Sequence, residues 1–168
     1  MVEDRLNFYE NTVAAKFSEH IHAAGKVVSG STLAHPTQEL VRIRASQING
    51  SSACTDVHLK DAAQLGETSV RLNLIATWRE ANVFTDAERA ALELTEQGTR
   101  IADAAGGVPD EVWDNAARYY DGDQLAALVA QIALINAFNR INVITRRPGG
   151  GYEPGESKQH TGSAYPQQ

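Results

Sequence analysis

One cysteine in 168 residues leaves no partner for an intrachain disulfide. Stability must then come from a packed core, and the chain suits a reducing compartment. Positive charge is scarce too: 15 lysines and arginines stand against 21 acids, a net charge of −6. Arg42, Arg44 and Arg146-Arg147 are too sparse to form a basic patch, which argues against nucleic acid as a partner. No unbroken apolar run reaches about 18 residues, so no membrane span is expected. The opening Met1-Val-Glu-Asp-Arg5 lacks the basic-then-apolar pattern of a secretory signal. A cytoplasmic protein is the expectation. Gly149-Gly-Gly151 is not followed by the Lys-Ser/Thr of a phosphate-binding loop. No internal repeat is evident, and no stretch alternates long enough to read as a strand, so the class is all-α.

What is present is helical periodicity between clear stops. Leu6, Tyr9, Val13, Phe17 and Ile21 predict a helix over 4–24, closed by Gly25 and Gly30. His35-Pro36-Thr37 starts a second helix that ends at Asn49-Gly50. A third runs from Ser52 to Leu65, stopped by Gly66, and a fourth covers Thr68 to Trp78. Trp78 to Phe84 reads as a connection with two aromatics packed over the domain. Thr85-Asp-Ala-Glu88 is a capping box for a fifth helix reaching about Ala105. Pro109 at a first helical position starts a sixth, ending near Tyr119-Tyr120. Asp121 caps the last, which extends to about Thr145. That helix is apolar nearly all round, which predicts burial in the domain or against another subunit. Asn136, Asn139 and Asn142 recur every three residues inside it, and buried amides bonded to backbone or to each other are favoured over direct chemistry. Residues 1–147 thus form one helical domain of six or seven helices, and 148–168 read as a flexible tail.

The chemistry concentrates in Glu39-Leu-Val-Arg-Ile-Arg-Ala-Ser-Gln-Ile-Asn-Gly-Ser-Ser-Ala-Cys54 and in His58 behind it. Cys54 and His58 stand at i and i+4, so they share one helix face. Cys54 falls in the first turn of its helix, where free amides and the helix dipole favour a thiolate. A thiolate beside an imidazole, with a carboxylate from the preceding helix, is the arrangement of an activated nucleophile. Ser51 sits where an N-cap hydroxyl would accept from the Cys54 amide. His20 and His22 lie two apart, which points them in different directions on a helix. One cysteine and one histidine fall short of a metal set, so neither a metal nor a cofactor is expected.

This run resembles the signature of the alkylhydroperoxidase D (AhpD) and carboxymuconolactone decarboxylase superfamily, E-L-V-x-L-R-x-S-Q-I-N-G-C-x-x-C-x-x-x-H. The similarity extends over roughly residues 3 to 146, through Arg5-Leu-Asn-Phe-Tyr9, Trp78-Arg-Glu80, Phe84-Thr85 and Ile135-Asn-Ala-Phe-Asn-Arg-Ile-Asn142. The resemblance implies an oligomeric AhpD-like helical domain, as a trimer or hexamer. It implies Glu39 as proton-relay carboxylate, Cys54 as peroxidatic cysteine and His58 as its histidine. Ser51 replaces the resolving cysteine, so turnover would need a small-molecule peroxide and an external thiol reductant. The implied activity is that of a thiol-dependent alkyl hydroperoxidase in antioxidant defence. The alternatives are a silent oligomeric binding protein and a carboxymuconolactone decarboxylase-like lyase using Glu39 and His58 without redox chemistry.

Overall fold

The least apolar-looking of the long helices forms the hub. In the computed structural model, which describes residues 3–154, α2 (His35–Asn49) is buried on every side. Leu40 and Ile43 pack into one apolar cluster with Ala62, Ile75, Trp78, Phe84 and Leu92. Val41 turns to a second, made with Leu94, Val112, Tyr120, Leu128 and Ile132. Ala45 faces a third, with Cys54, Ile135 and Phe138. Between those faces lie Gln38, Glu39, Arg42 and Ser46, all buried. A polar helix can occupy a core only where its polar groups bond one another. These do: the Gln38 amide donates to Leu33 O at 2.8 Å, and the one Ser46 hydroxyl proton is shared between Arg42 O at 2.7 Å and Asn139 Oδ1 at 3.0 Å.

Around it stand α1 (Thr12–Ser29), α3 (Ser52–Gln64), α4 (Ser69–Leu74), α5 (Asp86–Thr99), α6 (Asp110–Ala117) and α7 (Gly122–Thr145). With two 3-10 turns, Phe8–Glu10 and Ile75–Glu80, they make an all-helical fold with no strand among the described residues. The expected capping box is formed at Thr85/Glu88, and the expected Asp121 cap is completed to a second box by Gln124. Gly50 closes α2 at φ 67, a left-handed turn that favours glycine and brings α3 straight back against α2. Trp78 and Phe84 are buried in the connection, as their aromatic character suggests.

Several boundaries and faces depart from the periodicity. α1 begins at Thr12, because the Asn11 side chain accepts from the amides of Val13 and Ala14 and fixes the start there. It runs through Gly25 to Ser29, since a mid-helix glycine costs only about 1 kcal/mol and packing outweighs it. Leu6, Val13 and Phe17, expected inward, are exposed; Ala14, Ser18, Gly25 and Val28 are buried instead. The fourth helix is divided: Thr77 leaves helical geometry (φ −118, ψ 27) and the chain tightens into a 3-10 turn. α5 stops at Thr99, leaving Ile101 on the surface, and Pro109 occupies the N-cap of α6 rather than its first turn.

α7 bears on the membrane expectation, although Gln131, Asn136, Asn139, Arg140 and Asn142 interrupt its apolar run. It is long and apolar enough to cross a bilayer by length and composition, with 56% of its most apolar window buried within the domain. It packs on α2, α5 and α1, and its buried face includes Gln131, Asn136, Asn139 and Asn142. The first part of the expected tail is held down as well. Asp56 Oδ2 accepts from the amides of Gly150 (2.7 Å) and Tyr152 (3.2 Å), and Tyr152 OH donates to Asp61 Oδ1 at 2.8 Å. Gly149 packs so tightly on α3 that an added Cβ would lie 2.4 Å from Ser52 O. The remainder of the expected tail, 155–168, lies outside the described residues.

Candidate active site

Cys54 sits in the first turn of α3 with only 5% of its surface exposed. One side of it is apolar, formed by Ala45, Ile135 and Phe138. On the other, Asn142 Nδ2 reaches the sulfur at 3.1 Å from α7. Tyr9 OH donates to Asn142 Oδ1 at 3.2 Å, so the amide is oriented with its N–H toward the thiol. The Arg147 guanidinium covers the Tyr9 ring at 4.7 Å. Burial pushes the Tyr9 phenol up to about 12, opposed by Arg147 and assisted by the charge that Cys54 can carry.

The helix start does not give Cys54 a low pKa. Burial raises the thiol above its ordinary value of 9.0, and this outweighs the opposing pull of Ser51, Asn142 and Arg147. At rest the group is a thiol. Ser51 does hold the N-cap position, yet its hydroxyl makes no capping bond. That oxygen is buried, without a partner of ordinary hydrogen-bond geometry, and lies beside the Cys54 thiol, where it favours the thiolate.

His58 and Glu39 are brought together, as the family resemblance implies. Glu39 projects from the first turns of α2, and its Oε2 lies 3.0 Å from His58 Nδ1 on α3. Its other oxygen, Oε1, takes a 2.5 Å bond from Arg42 Nη1. All three are nearly sealed from solvent, Glu39 at 1%, Arg42 at 2% and His58 at 3% exposure. The Arg42 Nη2 also reaches Ser29 Oγ and Gln38 Oε1, each at 3.3 Å. With Glu39 accepting from Nδ1, a neutral His58 ring carries its free lone pair on Nε2. Among the described residues no direct Cys54–His58 hydrogen bond is made.

Beside the Cys54 turn, with Cys54 itself set behind the lining, opens a cleft of about 540 Å³ formed by Glu3, Gly50, Ser51, Ser52, Asn142, Val143, Arg146 and Arg147. Three of those residues, Ser51, Asn142 and Arg147, are the same ones that act on Cys54. The asparagine stripe thus divides. Asn136 donates to Thr99 Oγ1 and Ile132 O, as a structural amide would, and Asn139 accepts from Ser46. Asn142 alone of the three meets the nucleophile. Tyr9, Arg42 and Arg147 went unremarked as site residues in the sequence. Arg42 was legible as the i+3 partner of Glu39; the other two come from chain ends that nothing local ties to Cys54. His22 bonds Ser18 O at 2.6 Å through Nδ1 and edges onto Phe138, which forms part of the apolar side of Cys54. Among the described residues no three His, Cys, Asp or Glu side chains gather as a metal set.

Residues 13–97 match the model of the carboxymuconolactone decarboxylase family. The uncharacterized protein YdfG of Bacillus subtilis strain 168 is 35% identical over 142 residues, 84% of this chain and 94% of that protein. A crystal structure from Agrobacterium tumefaciens, of a protein of unknown function described as a candidate antioxidant-defence protein AhpD, superposes with a TM-score of 0.82. It is 30% identical and covers 89% of this chain and 100% of its own. The debrominase Bmp8 shares the fold, with a TM-score of 0.73 at 17% identity over 82% of this chain and 73% of its own. By its sequence match and its AhpD-like helical architecture, the chain belongs to the carboxymuconolactone decarboxylase family.

Proposed function

We propose that this protein is a thiol-dependent peroxidase with Cys54 as its nucleophile and Glu39 and His58 as its proton-handling pair. The observation that carries this reading is the pairing of Asn142 with Cys54 on one side of α3 and of Glu39 with His58 one turn further on. The Asn142 N–H stabilises negative charge on sulfur as the thiolate forms. His58 Nε2, its partner nitrogen bonded to Glu39, takes the thiol proton through a bridging water or the peroxide itself. Sulfur then attacks the terminal peroxide oxygen, the O–O bond breaks, and the proton returns to the leaving alkoxide. In sum, RSH + R′OOH gives RSOH + R′OH. No second cysteine exists to resolve the sulfenic acid. Two external thiols do so: the first forms a mixed disulfide and releases water, the second releases the thiol and carries away the disulfide. A reducing, cytoplasmic setting would supply them. The Agrobacterium relative's description as an antioxidant-defence protein supports this assignment.

Treating the protein with cumene hydroperoxide and a dimedone-type probe should label Cys54 as the sulfenic acid. Absence of label across a peroxide titration removes the peroxidase reading.

One observation favours a second reading, a lyase of the decarboxylase type. Burial keeps Cys54 protonated, while Glu39, Arg42 and His58 make a complete proton-handling group without it. A Cys54→Ala variant that retains activity on a carboxylated lactone would favour the lyase; a silent protein would do neither reaction. In either case we propose a homo-oligomer, trimer or hexamer, using the exposed Val13 and Phe17 of α1 and Ile144 of α7. Light scattering that gives a monomer at micromolar concentration removes that proposal.

A further inference from the structure

The cleft beside Cys54 is more positive than the chain as a whole. Arg146 and Arg147 are consecutive, yet both line it. Consecutive helical side chains diverge by about 100°, so a straight continuation of α7 would have turned one of them away. The turn is made at Arg146, which adopts φ 60, ψ 34 and closes the helix in the left-handed region. It is the one non-glycine residue among those described with positive φ. That conformation costs an L-residue on the order of 1 kcal/mol, and glycine is the usual choice at a helix end of this kind. Strain retained at a cleft by a residue other than glycine suggests a role for its side chain.

Neither guanidinium has a carboxylate partner within 4 Å among the described residues, and Arg146 is solvent-exposed. Glu3 at the rim is the one acid lining the cleft, against two guanidiniums. The uncapped start of α3 adds its positive end at Ser51 and Ser52. In the same wall the Ser51 hydroxyl is 2% exposed and, apart from its place beside the Cys54 thiol, has no partner of ordinary geometry, so it can turn to something that enters. Water would serve it, but water does not account for two arginines without counter-charges.

We propose that this cleft binds the carboxylate of an anionic organic hydroperoxide, with Arg146 and Arg147 as its specificity-determining residues. The inference rests on the peroxidase reading for the reacting group and on the cleft alone for the charge. The substrate class is a hydroperoxide that carries a carboxylate elsewhere on its chain. Arg147, already in electrostatic contact with Cys54, and Arg146 hold the acid end. The peroxide end is left over the thiol, beside Ser51 and Asn142. The step is ⁻OOC–R–OOH + RSH giving ⁻OOC–R–OH + RSOH, with the carboxylate unchanged.

The test compares two alkylating reagents on Cys54, since iodoacetate and iodoacetamide have nearly the same shape and differ in charge. With wild-type protein the ratio of iodoacetate to iodoacetamide rates should exceed that of glutathione by about tenfold or more. Arg146→Gln/Arg147→Gln should bring the ratio down to that of glutathione, as should 1 M salt, where the screening length is about 3 Å. Arg100→Gln, which removes one exposed charge outside the cleft, should leave it unchanged. A wild-type ratio equal to that of glutathione, or one the double variant preserves, overturns the proposal. If neither reagent reaches the thiol, calorimetric titration of octanoate decides: binding lost in the double variant supports the cleft, and no wild-type binding overturns it. Because none of these readouts uses peroxide, the cleft can stand where the sulfenic-acid labelling of Cys54 fails. The reverse holds as well.

Discussion

Asn142 presents an amide hydrogen to the sulfur of Cys54 across 3.1 Å, joining two helices through residues 88 apart in sequence. The contact acts on the thiolate more than on the thiol, since a donor to an ionised acceptor is worth roughly 1.5–3 kcal/mol against about 1 for a neutral pair. Asn142→Leu keeps the size and removes the donor. Alkylation of Cys54 by iodoacetamide at fixed pH should slow by roughly two- to thirtyfold, following that difference of about 0.5–2 kcal/mol. Tyr9→Phe removes only what orients the amide, and should slow it by less. Equal rates in wild type and Asn142→Leu would show that the amide does not govern the nucleophile.

Burial of Cys54 sets a pH dependence that the sequence would have given with the opposite sign. A first-turn cysteine with a histidine four residues on suggests a depressed pKa; the structure holds it above 9.0. The rate of alkylation should therefore still be climbing at pH 9, and a plateau near pH 7 would contradict the structure. A folded pKa above the unfolded one favours the protonated thiol in the native state. That contribution to stability is whole below about pH 9 and is lost as pH rises toward the folded value. Tyr9 and Tyr120, both pushed from 10.0 up to about 12 mainly by burial, extend the loss from pH 10 to 12. Urea midpoints should fall above pH 9 in wild type, with the earliest part of the fall absent in Cys54→Ala.

What the sequence could and could not convey follows from how far apart the causes lie. Gly50, the capping boxes and the helix class were legible because their determinants sit within a few residues of their effects. So was the meeting of Glu39 with His58, implied by family resemblance and the turn between α2 and α3. The inward face of α1 was not, because Val13 and Phe17 have the right spacing while Ala14 and Ser18 are what face the domain. Small residues let helices approach, and a count of apolar positions passes over them. The pKa of Cys54 was misread for a similar reason: the helix dipole is local, whereas Ile135 and Phe138, which dry the sulfur, come from α7. The segment 148–154 reads as tail by composition, and contacts from Ser52, Asp56, Lys60 and Asp61 on α3 make it otherwise.

The Glu39–Arg42 pair should prove costly to break and cheaper to remove. Glu39→Gln removes the carboxylate that accepts from the Arg42 guanidinium, which is 2% exposed. Breaking a buried pair of this kind by taking away one partner costs about 3–5 kcal/mol. Glu39→Gln/Arg42→Met discards both charges and should recover part of that loss, although Ser29 and Gln38 forfeit a partner. Urea denaturation of the two variants measures it. A double variant less stable than the single one would mean that Arg42 stabilises the fold through bonds other than the one to Glu39.

Ser51 offers the most direct test of whether a missing thiol limits this site. Its hydroxyl is buried beside Cys54 and forfeits no ordinary hydrogen bond on replacement, so Ser51→Cys should fold as wild type does. An N-cap residue and the residue three places on sit close to the roughly 4.4–6.8 Å Cα separation that a disulfide requires. Oxidation by peroxide should first make the sulfenic acid at Cys54. The thiol introduced by Ser51→Cys then attacks that sulfur, closing a disulfide with release of water. Mass spectrometry should record the loss of two hydrogens relative to the reduced variant. Dithiothreitol or dihydrolipoamide reopens the bond, so the variant should consume peroxide in many turnovers per subunit with a dithiol. The parent should react once and stop unless a small thiol attacks its sulfenic acid. A parent that already turns over as fast as the variant would clear Ser51 of any limiting role. A variant that forms the disulfide yet consumes no peroxide would mean that Cys54 is a redox-competent thiol in a site built for other chemistry.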